Sequence, residues 1–333
     1  MIVNEIYEGG FYKYFFKFGG MYSAFLNHKQ LLEHEGVQVL VNSSKKADIT
    51  HVHSFGLYAL YKLMTARPSV VSTHFVPDTI IGSFKGHGFL LKFIKLYLRF
   101  FYNQADLIVA LTPYVKKELE ELGVTRKIVV LSNPINKEMF QKDLSLRDKG
   151  RKKYLVGNHD FLVVGAGQLI PRKGIKDFLE IAKRLPEYSF MWIGEEILKV
   201  ISPSEGLHLL LKNKPENVII TGLISYDEMS LHYNMGDMLL FPSHQETQGL
   251  VIIEAAACGL PVVARDLEQY KELYRKDEYI GCENVDAFVK AVKFLAINKE
   301  KQMLMMEKSK RLSDRFSIDI IGEAYIKLYK SLL

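Results

Sequence analysis

The chain has 333 residues, 48% hydrophobic and 25% charged, which is material for two globular cores of ordinary composition. Its two cysteines, Cys258 and Cys282, are too few for a disulfide framework or a thiolate metal site, so a reducing cytoplasm fits. The net charge is +6 and uneven: residues 1–140 carry +5, residues 141–157 carry +4 and residues 158–333 carry −3. A basic half can serve nucleic acid, an anionic membrane surface or an acidic ligand. With no zinc-finger, RRM-like or basic-zipper pattern beside it, nucleic acid is the weakest of the three.

Short apolar strands alternate with amphipathic helices almost throughout, the pattern of parallel α/β sheets. The opening MIVNEIYEGG has no basic region leading into a long apolar run, so the expectation is a chain that stays inside the cell. IVNEIY reads as a first strand. EGGFYKYFFKFGG then places six aromatics and two lysines between glycine pairs. A loop this aromatic is expected to be buried, bound to something apolar or resting on lipid. A helix from about Met21 to Glu35 follows, stopped by Gly36.

DITHVHS sets two histidines on one side of a strand, and SVVSTHFVPD is a strand ending in His74 and Asp78. The carboxyl ends of parallel strands point into the crevice where α/β proteins bind ligands, which makes His53 and His74 candidates. The alternative for each is a hydrogen-bonded structural histidine. In KGHGFLLKFIKLYLRFFYNQ, residues 85–104, a wide aromatic and aliphatic face leaves a narrow stripe of Lys92, Lys95 and Arg99. The segment is too short and too charged to span a bilayer, but such a helix can lie in an interface with its cations on anionic headgroups. Packing between the sheet and its neighbours is the competing expectation.

ADLIVALT, PYVKKELEELG and KIVVLSNPI complete a first domain, residues 1–140. Charge is then dense and apolar periodicity lost, which marks residues 141–157 as a linker. FLVVGAGQL, YSFMWIG, NVIITGLI and MLLFPS belong to a second α/β domain, residues 158–310. Residues 311–333 form a C-terminal helix that can cross back to the first domain.

The most informative stretch is SHQETQGLVIIEAAACGLPVV, residues 243–263. It separates Glu246 and Glu254 across the start of a helix that Thr247 or Gln248 can cap and that Gly259 and Pro261 end. Gly249, Leu250 and Val251 then offer backbone N–H groups at a positive helix end, with one carboxylate before it and one a turn in. That suits an anionic, hydroxyl-rich ligand such as a nucleotide sugar. An ordinary strand–loop–helix–strand unit with two solvated glutamates has the same spacing.

Taken together these segments resemble the retaining glycosyltransferases of family 4. QETQGLVIIEAAACGLPVV is similar to that family's E-x7-E signature, GAGQLIPRKG to its phosphate-binding turn, MWIGE to the following strand and LFPS to the strand before the glutamates. FGGMYSAF, ADITHVHSFG, VVSTHFVPD and LSNPI match its N-terminal glycine-pair loop, its histidine-bearing strands and its domain-closing turn. The resemblance implies a GT-B fold, α/β with two Rossmann-like parallel-sheet domains facing a central cleft.

It also implies roles. Gly167 would form the phosphate turn, Arg172 and Lys173 would clamp the diphosphate, and the N–H groups of Gly249, Leu250 and Val251 would meet phosphate. Glu254 would accept from the ribose, Glu246 would hold sugar hydroxyls near the anomeric carbon, and His74 would contact the sugar. Gln168 stands where many members carry Arg, which leaves the positive charge to Arg172 and Lys173. The chain has no Asp-x-Asp pair, so no metal and no cofactor are expected beyond the UDP-sugar co-substrate.

The interfacial helix and the aromatic loop are similar to those of Gram-positive glycolipid synthases that add a second α-hexose to monoglucosyl-diacylglycerol. That points to UDP-glucose or UDP-galactose as donor and a glycolipid as acceptor. The protein would sit peripherally on the cytoplasmic face of the plasma membrane, with Gly19, Gly20, Lys92, Lys95 and Arg99 toward acceptor and lipid. A wall-polymer, capsule or exopolysaccharide transferase on a polyprenyl-linked sugar is the alternative enzyme, and a nucleotide-sugar sensor or scaffold the alternative class.

Overall fold

The computed structural model of the protein describes residues 1–8, 19–77, 87–195 and 206–333. The aromatic loop at 9–18 and Asp78 lie outside the described residues. In chain order the first elements are β1 (Ile2–Ile6), α1 (Gly20–His34), β2 (Gln38–Val41), β3 (Ile49–Val52), α2 (Leu57–Thr65), β4 (Ser69–Thr73), α3 (His87–Tyr102), β5 (Leu107–Ala110), α4 (Pro113–Glu121) and β6 (Lys127–Val130). Next come α5 (Leu144–Lys153), β7 (Leu162–Ala166), α6 (Ile175–Lys183), β8 (Ser189–Ile193), α7 (Leu207–Lys212), β9 (Val218–Ile220), α8 (Met229–Met235) and β10 (Met238–Phe241). The chain ends with α9 (Leu250–Ala257), β11 (Val262–Arg265), β12 (Ile280–Cys282), α10 (Val285–Ile297), α11 (Lys299–Asp314) and α12 (Ile318–Lys330).

The chain divides into two compact units, one made of the described residues up to Asn136 with Phe316–Leu333, the other of Lys137–Arg315. Each holds a six-stranded sheet, ordered β2-β1-β3-β4-β5-β6 in the first and β12-β11-β10-β7-β8-β9 in the second. Among the described residues all ten pairings between these strands are parallel. Burial explains the strand sequences. Central SVVST, LVVGA and MLLF are buried at every position, the last two as unbroken apolar runs, whereas the edge strands QVLV and KIVV expose both of their ends.

The order of each sheet fixes where a ligand crevice can open. In the first unit the chain steps from β1 out to β2 and returns to the other side of β1 for β3; in the second it runs β7, β8, β9 and then restarts beside β7 with β10. Beyond the carboxyl ends at these reversals the flanking loops part, the usual ligand position in open α/β sheets.

The first core packs Val3, Leu31, Leu32, Ile49, Val70 and Leu107 against Tyr325, Leu328 and Tyr329 of α12, so the C-terminal helix is part of the first unit. In the second, Trp192 meets Phe178 edge-on at 5.0 Å. Its indole N–H donates to the Gly167 carbonyl at 2.9 Å and fixes the turn after β7.

Two boundaries differ from the sequence reading. The segment read as a linker, 141–157, is mostly helix α5, and the units meet in the chain at Asn136 and Lys137. Its charges are structural: Asp143 caps α5, accepting from Ser145 N and Leu146 N. Arg147 donates to the Met235 and Gly236 carbonyls at 3.0 and 2.8 Å and pairs with Asp237 at 2.7 Å. Arg151, 1% exposed, donates to Met235 O, Gly157 O, Asp160 O and Asp237. Two guanidiniums one helical turn apart thus neutralise the carbonyl end of α8, which composition alone reads as a solvated run. The other boundary, at 311, falls inside α11, which runs to Asp314.

Candidate active site

At the β7 and β10 reversal two short loops are stitched together. After β7 the chain makes a single 3-10 turn, Pro171–Lys173, and enters α6 through Gly174 at φ +76°. A Cβ there would lie 2.2 Å from the Pro242 carbonyl oxygen, so this glycine is required by both its conformation and the close approach of the β10 loop. Across the gap the Arg172 carbonyl accepts from His244 N at 2.8 Å, and Arg172 Nη1 donates to the Gln245 carbonyl at 2.7 Å.

Lys173 Nζ donates to Glu246 Oε1 at 2.6 Å, and Ser243 Oγ donates to the same oxygen at 2.7 Å. Gln269 Nε2 holds the Glu246 carbonyl at 3.0 Å. Gly167 lies against the Lys173 stem, 3.3 Å from where its Cβ would be. Glu246 is 6% exposed. Burial pushes its carboxyl pKa up, but Lys173, Arg172 and the hydrogen bonds from Lys173 and Ser243 outweigh this and hold it below the ordinary value. Burial also draws the Lys173 ammonium down, against the pull of Glu246.

Eight residues of α9 follow. The helix has no side-chain cap, so neither Thr247 nor Gln248 fills that role. Gly249 stands at the N-cap in the left-handed region, φ +79° and ψ +53°, a backbone that only glycine adopts cheaply and that sequence capping rules do not anticipate. The turn leaves the N–H groups of Gly249, Leu250 and Val251 at the positive end of the helix. The Tyr270 hydroxyl sits 2.9 Å from where a Gly249 Cβ would be, buried and without a hydrogen-bond partner. One turn in, Glu254 is buried and accepts from Tyr233 Oη at 2.8 Å. Burial, only partly offset by that bond, raises its carboxyl pKa to about 7.

The second unit therefore brings together Gly167, Arg172, Lys173, Glu246, Gly249, Leu250, Val251 and Glu254. Ser243, Gln269, Tyr233 and Tyr270, which complete the setting, are not evident in the sequence; serine, glutamine and tyrosine carry no spacing signal, and three of them lie 20 or more residues from their partners. The arrangement offers two cations and a helix N-terminus to an anion, beside two buried carboxylates that can accept from hydroxyl groups.

The remaining candidates belong to the first unit. His74 follows β4, half-buried, with Nε2 3.2 Å from His53 Nδ1. Gly19 and Gly20 open α1, the Gly19 carbonyl accepting from Tyr22 N at 3.0 Å. Helix α3 buries Leu98, Phe101 and Tyr102 and exposes Phe93, Leu96 and Phe100 at 59%, 66% and 48%, next to exposed Lys92, Lys95 and Arg99. The Arg99 guanidinium lies over Gly123, just beyond the carbonyl end of α4, so Lys92 and Lys95 are the cations reaching outward. Among the described residues no helix is long and apolar enough to cross a membrane.

The same architecture recurs in solved structures. Anabaena Alr3699/HepE, solved in complex with UDP-glucose, aligns with a TM-score of 0.79 at 17% identity over 100% of both chains. Sucrose-phosphate synthase from Thermosynechococcus elongatus aligns at 0.80 and 14% identity over 99% of this chain and 98% of its own. The protein is thus an α/β protein of the GT-B fold. The family described as glycosyl transferases group 1 matches residues 147–312, and that described as Glycosyltransferase Family 4 matches residues 9–139. The alpha-galactosylglucosyldiacylglycerol synthase of Streptococcus pneumoniae is 30% identical over 299 residues, 88% of this chain and 79% of its own. The processive diacylglycerol alpha-glucosyltransferase of Acholeplasma laidlawii is 29% identical over 319 residues, 95% of each chain. The chain belongs to the family 4 glycosyltransferases and is a hexosyltransferase.

Proposed function

We propose that the protein moves a hexose from UDP-glucose or UDP-galactose to a glycosyl-diacylglycerol, with retention of the α configuration, at the inner leaflet of the plasma membrane. The observation that carries the donor half is the joining of the Pro171–Gly174 turn to the Glu246 loop at the N-terminus of α9. A diphosphate at this place meets Lys173, Arg172 and the first-turn N–H groups of α9, which take up the charge that develops on the departing UDP. Glu254 accepts from the ribose hydroxyls, and Glu246 from hydroxyls of the sugar. To His74, in the first unit, we assign contact with a sugar hydroxyl.

The chemistry asks little more of the protein. The bond from the anomeric carbon to the phosphate oxygen breaks, an acceptor hydroxyl attacks on the same face through an oxocarbenium-like state, and its proton passes to the leaving phosphate. Lys173, Arg172 and the helix end meet the departing charge without a metal.

Support for the acceptor comes from the two glycolipid-synthesising relatives and from α3. Exposed Phe93, Leu96 and Phe100 can enter the acyl boundary while Lys92 and Lys95 reach anionic headgroups. The test offers labelled UDP-glucose or UDP-galactose to vesicles holding monoglucosyl-diacylglycerol or diacylglycerol alone. A labelled diglycosyl lipid formed from the monoglucosyl vesicles is expected. No lipid-soluble product with either donor would sink the acceptor assignment, and product from diacylglycerol alone would move it one sugar earlier.

A further inference from the structure

The core of the first unit contains a polar network that the donor site does not use. Glu5, near the carboxyl end of buried strand β1, is 0% exposed and accepts from His28 Nδ1 through Oε1. The same oxygen is 3.6 Å from His53 Nε2, while His53 Nδ1 lies 3.2 Å from His74 Nε2. His51 stacks on His53 at 4.5 Å and joins Tyr329 Oη through Nδ1 and Ser72 Oγ through Nε2 at 2.8 Å. One ring atom each of His28, His51 and His53 lie within 4.8 Å of one another. Both His51 nitrogens and His28 Nδ1 are already engaged in hydrogen bonds, so the cluster is a hydrogen-bonded chain rather than a cation cage.

The protons in this chain can be placed. Burial would raise Glu5, but His28 and His53 outweigh it and hold the carboxyl at about 2, so it is ionised. Burial is the main cause lowering His51, His53 and His74, which are neutral imidazoles at pH 7. A neutral His53 has one N–H. If that proton were on Nδ1, a ring lone pair would face the Glu5 carboxylate across 3.6 Å of dry interior, a repulsive arrangement. The proton belongs on Nε2, toward Glu5. His53 Nδ1 is then an acceptor, and among the described residues its hydrogen-bond partner is His74 Nε2 at 3.2 Å, which must carry the proton.

We propose that Glu5 and His53 are positioning residues that fix His74 in the Nε2–H tautomer and leave its Nδ1 as a hydrogen-bond acceptor for a sugar hydroxyl. The catalytic consequence rests on the role given to His74 above; the tautomer itself does not. Glu5 acts through His53, two side chains away from any ligand, and turns a histidine that could donate or accept into one that accepts. The chemistry it selects is a sugar hydroxyl donating to nitrogen rather than an oxyanion accepting from it.

Imidazole ¹⁵N NMR of the full-length protein labelled at histidine reads the tautomer directly. The His74 signals should show Nε2 protonated and Nδ1 bare, and Glu5→Gln or His53→Asn should shift them toward a mixture. In the glycolipid transfer assay the same variants should lose about tenfold to a hundredfold in kcat, the usual scale for removing an orienting partner, with the KM for the UDP-sugar little changed. A His74 protonated on Nδ1 in the unaltered protein would overturn the proposal, with no variant needed. So would Glu5→Gln leaving both tautomer and kcat unchanged. Undiminished transfer by His74→Ala would instead refute the contact of His74 with the sugar, and the two failures are told apart because the NMR result does not depend on turnover.

Discussion

Lowering the pH from 8 to 6 should weaken UDP-glucose binding about tenfold, with Glu254 responsible. Its carboxyl pKa is raised to about 7 by burial, with Tyr233 the one bond favouring the charged form. If two ribose hydroxyls donate to it, the charged form gains and the pKa falls toward its ordinary value in the complex, so binding releases a proton. Below pH 7 the free protein must first lose that proton, and affinity falls nearly tenfold for each further pH unit, which gives about tenfold between pH 8 and 6. UDP-glucose suits the measurement because its phosphates are diesters without a titration in this range.

Calorimetry in two buffers of different ionisation enthalpy would count the released proton, and Glu254→Gln should bind more weakly and without the pH dependence. Folding gives the opposite sign. Between about pH 4.5 and 7 the folded chain binds more protons at Glu254 than the unfolded one, so this group's contribution to stability is full at low pH and lost as pH rises through 7, by about 3 kcal/mol. Affinity that stays flat or tightens toward pH 6, or an equal pH dependence in Glu254→Gln, would refute the ribose assignment.

Removing the Lys173 ammonium by Lys173→Ala strands Glu246 in a buried site. Urea unfolding should show a loss of about 3–5 kcal/mol, and transfer should fall at least about a hundredfold. The pair replacement Lys173→Met with Glu246→Leu should recover most of the stability and none of the transfer, as removing both partners leaves no unpaired charge. Gly174→Ala places a Cβ 2.2 Å from Pro242 O at φ +76° and should cost at least about 2 kcal/mol in thermal unfolding. Changing Lys92 and Lys95 to Gln should weaken partition onto anionic vesicles roughly 30-fold, near 1 kcal/mol per cation, and leave the melting temperature unchanged. Unaltered sedimentation would mean that α3 does not face lipid.

The parts that sequence made legible are those where apolar period and punctuation agree. β10, Gly249, α9, Gly259 and Pro261 follow one another with clear strand, turn and helix signals, and the two glutamates take their places from that frame. Failures occur where a charged residue is not at the surface. Arg147 and Arg151 read as linker because composition cannot show that a helix C-terminus lies opposite them. Glu5 carries no signal within the strand IVNEIY, yet β1 is central and Glu5 lies among three imidazoles. Histidines at period two gave a hint of that network, but its acid comes from another strand and its tyrosines from more than 270 residues away.

The buried pair at the donor site also says something about order of events under the proposed reaction. Lys173 and Glu246 neutralise each other, so neither charge stands unpaired in a dry site. A diphosphate arriving at the end of α9 competes for the Lys173 protons and replaces one anionic partner by another. Glu246, still held by Ser243 and by Gln269 through its backbone, is then released toward the hydroxyls of the sugar that the same diphosphate carries. A nucleotide with no sugar would take the lysine and leave the carboxylate with Ser243 and the charge of Arg172, a costlier state in low dielectric. The ion pair thereby favours the intact UDP-sugar over free UDP, a preference that a site with the lysine alone would lack.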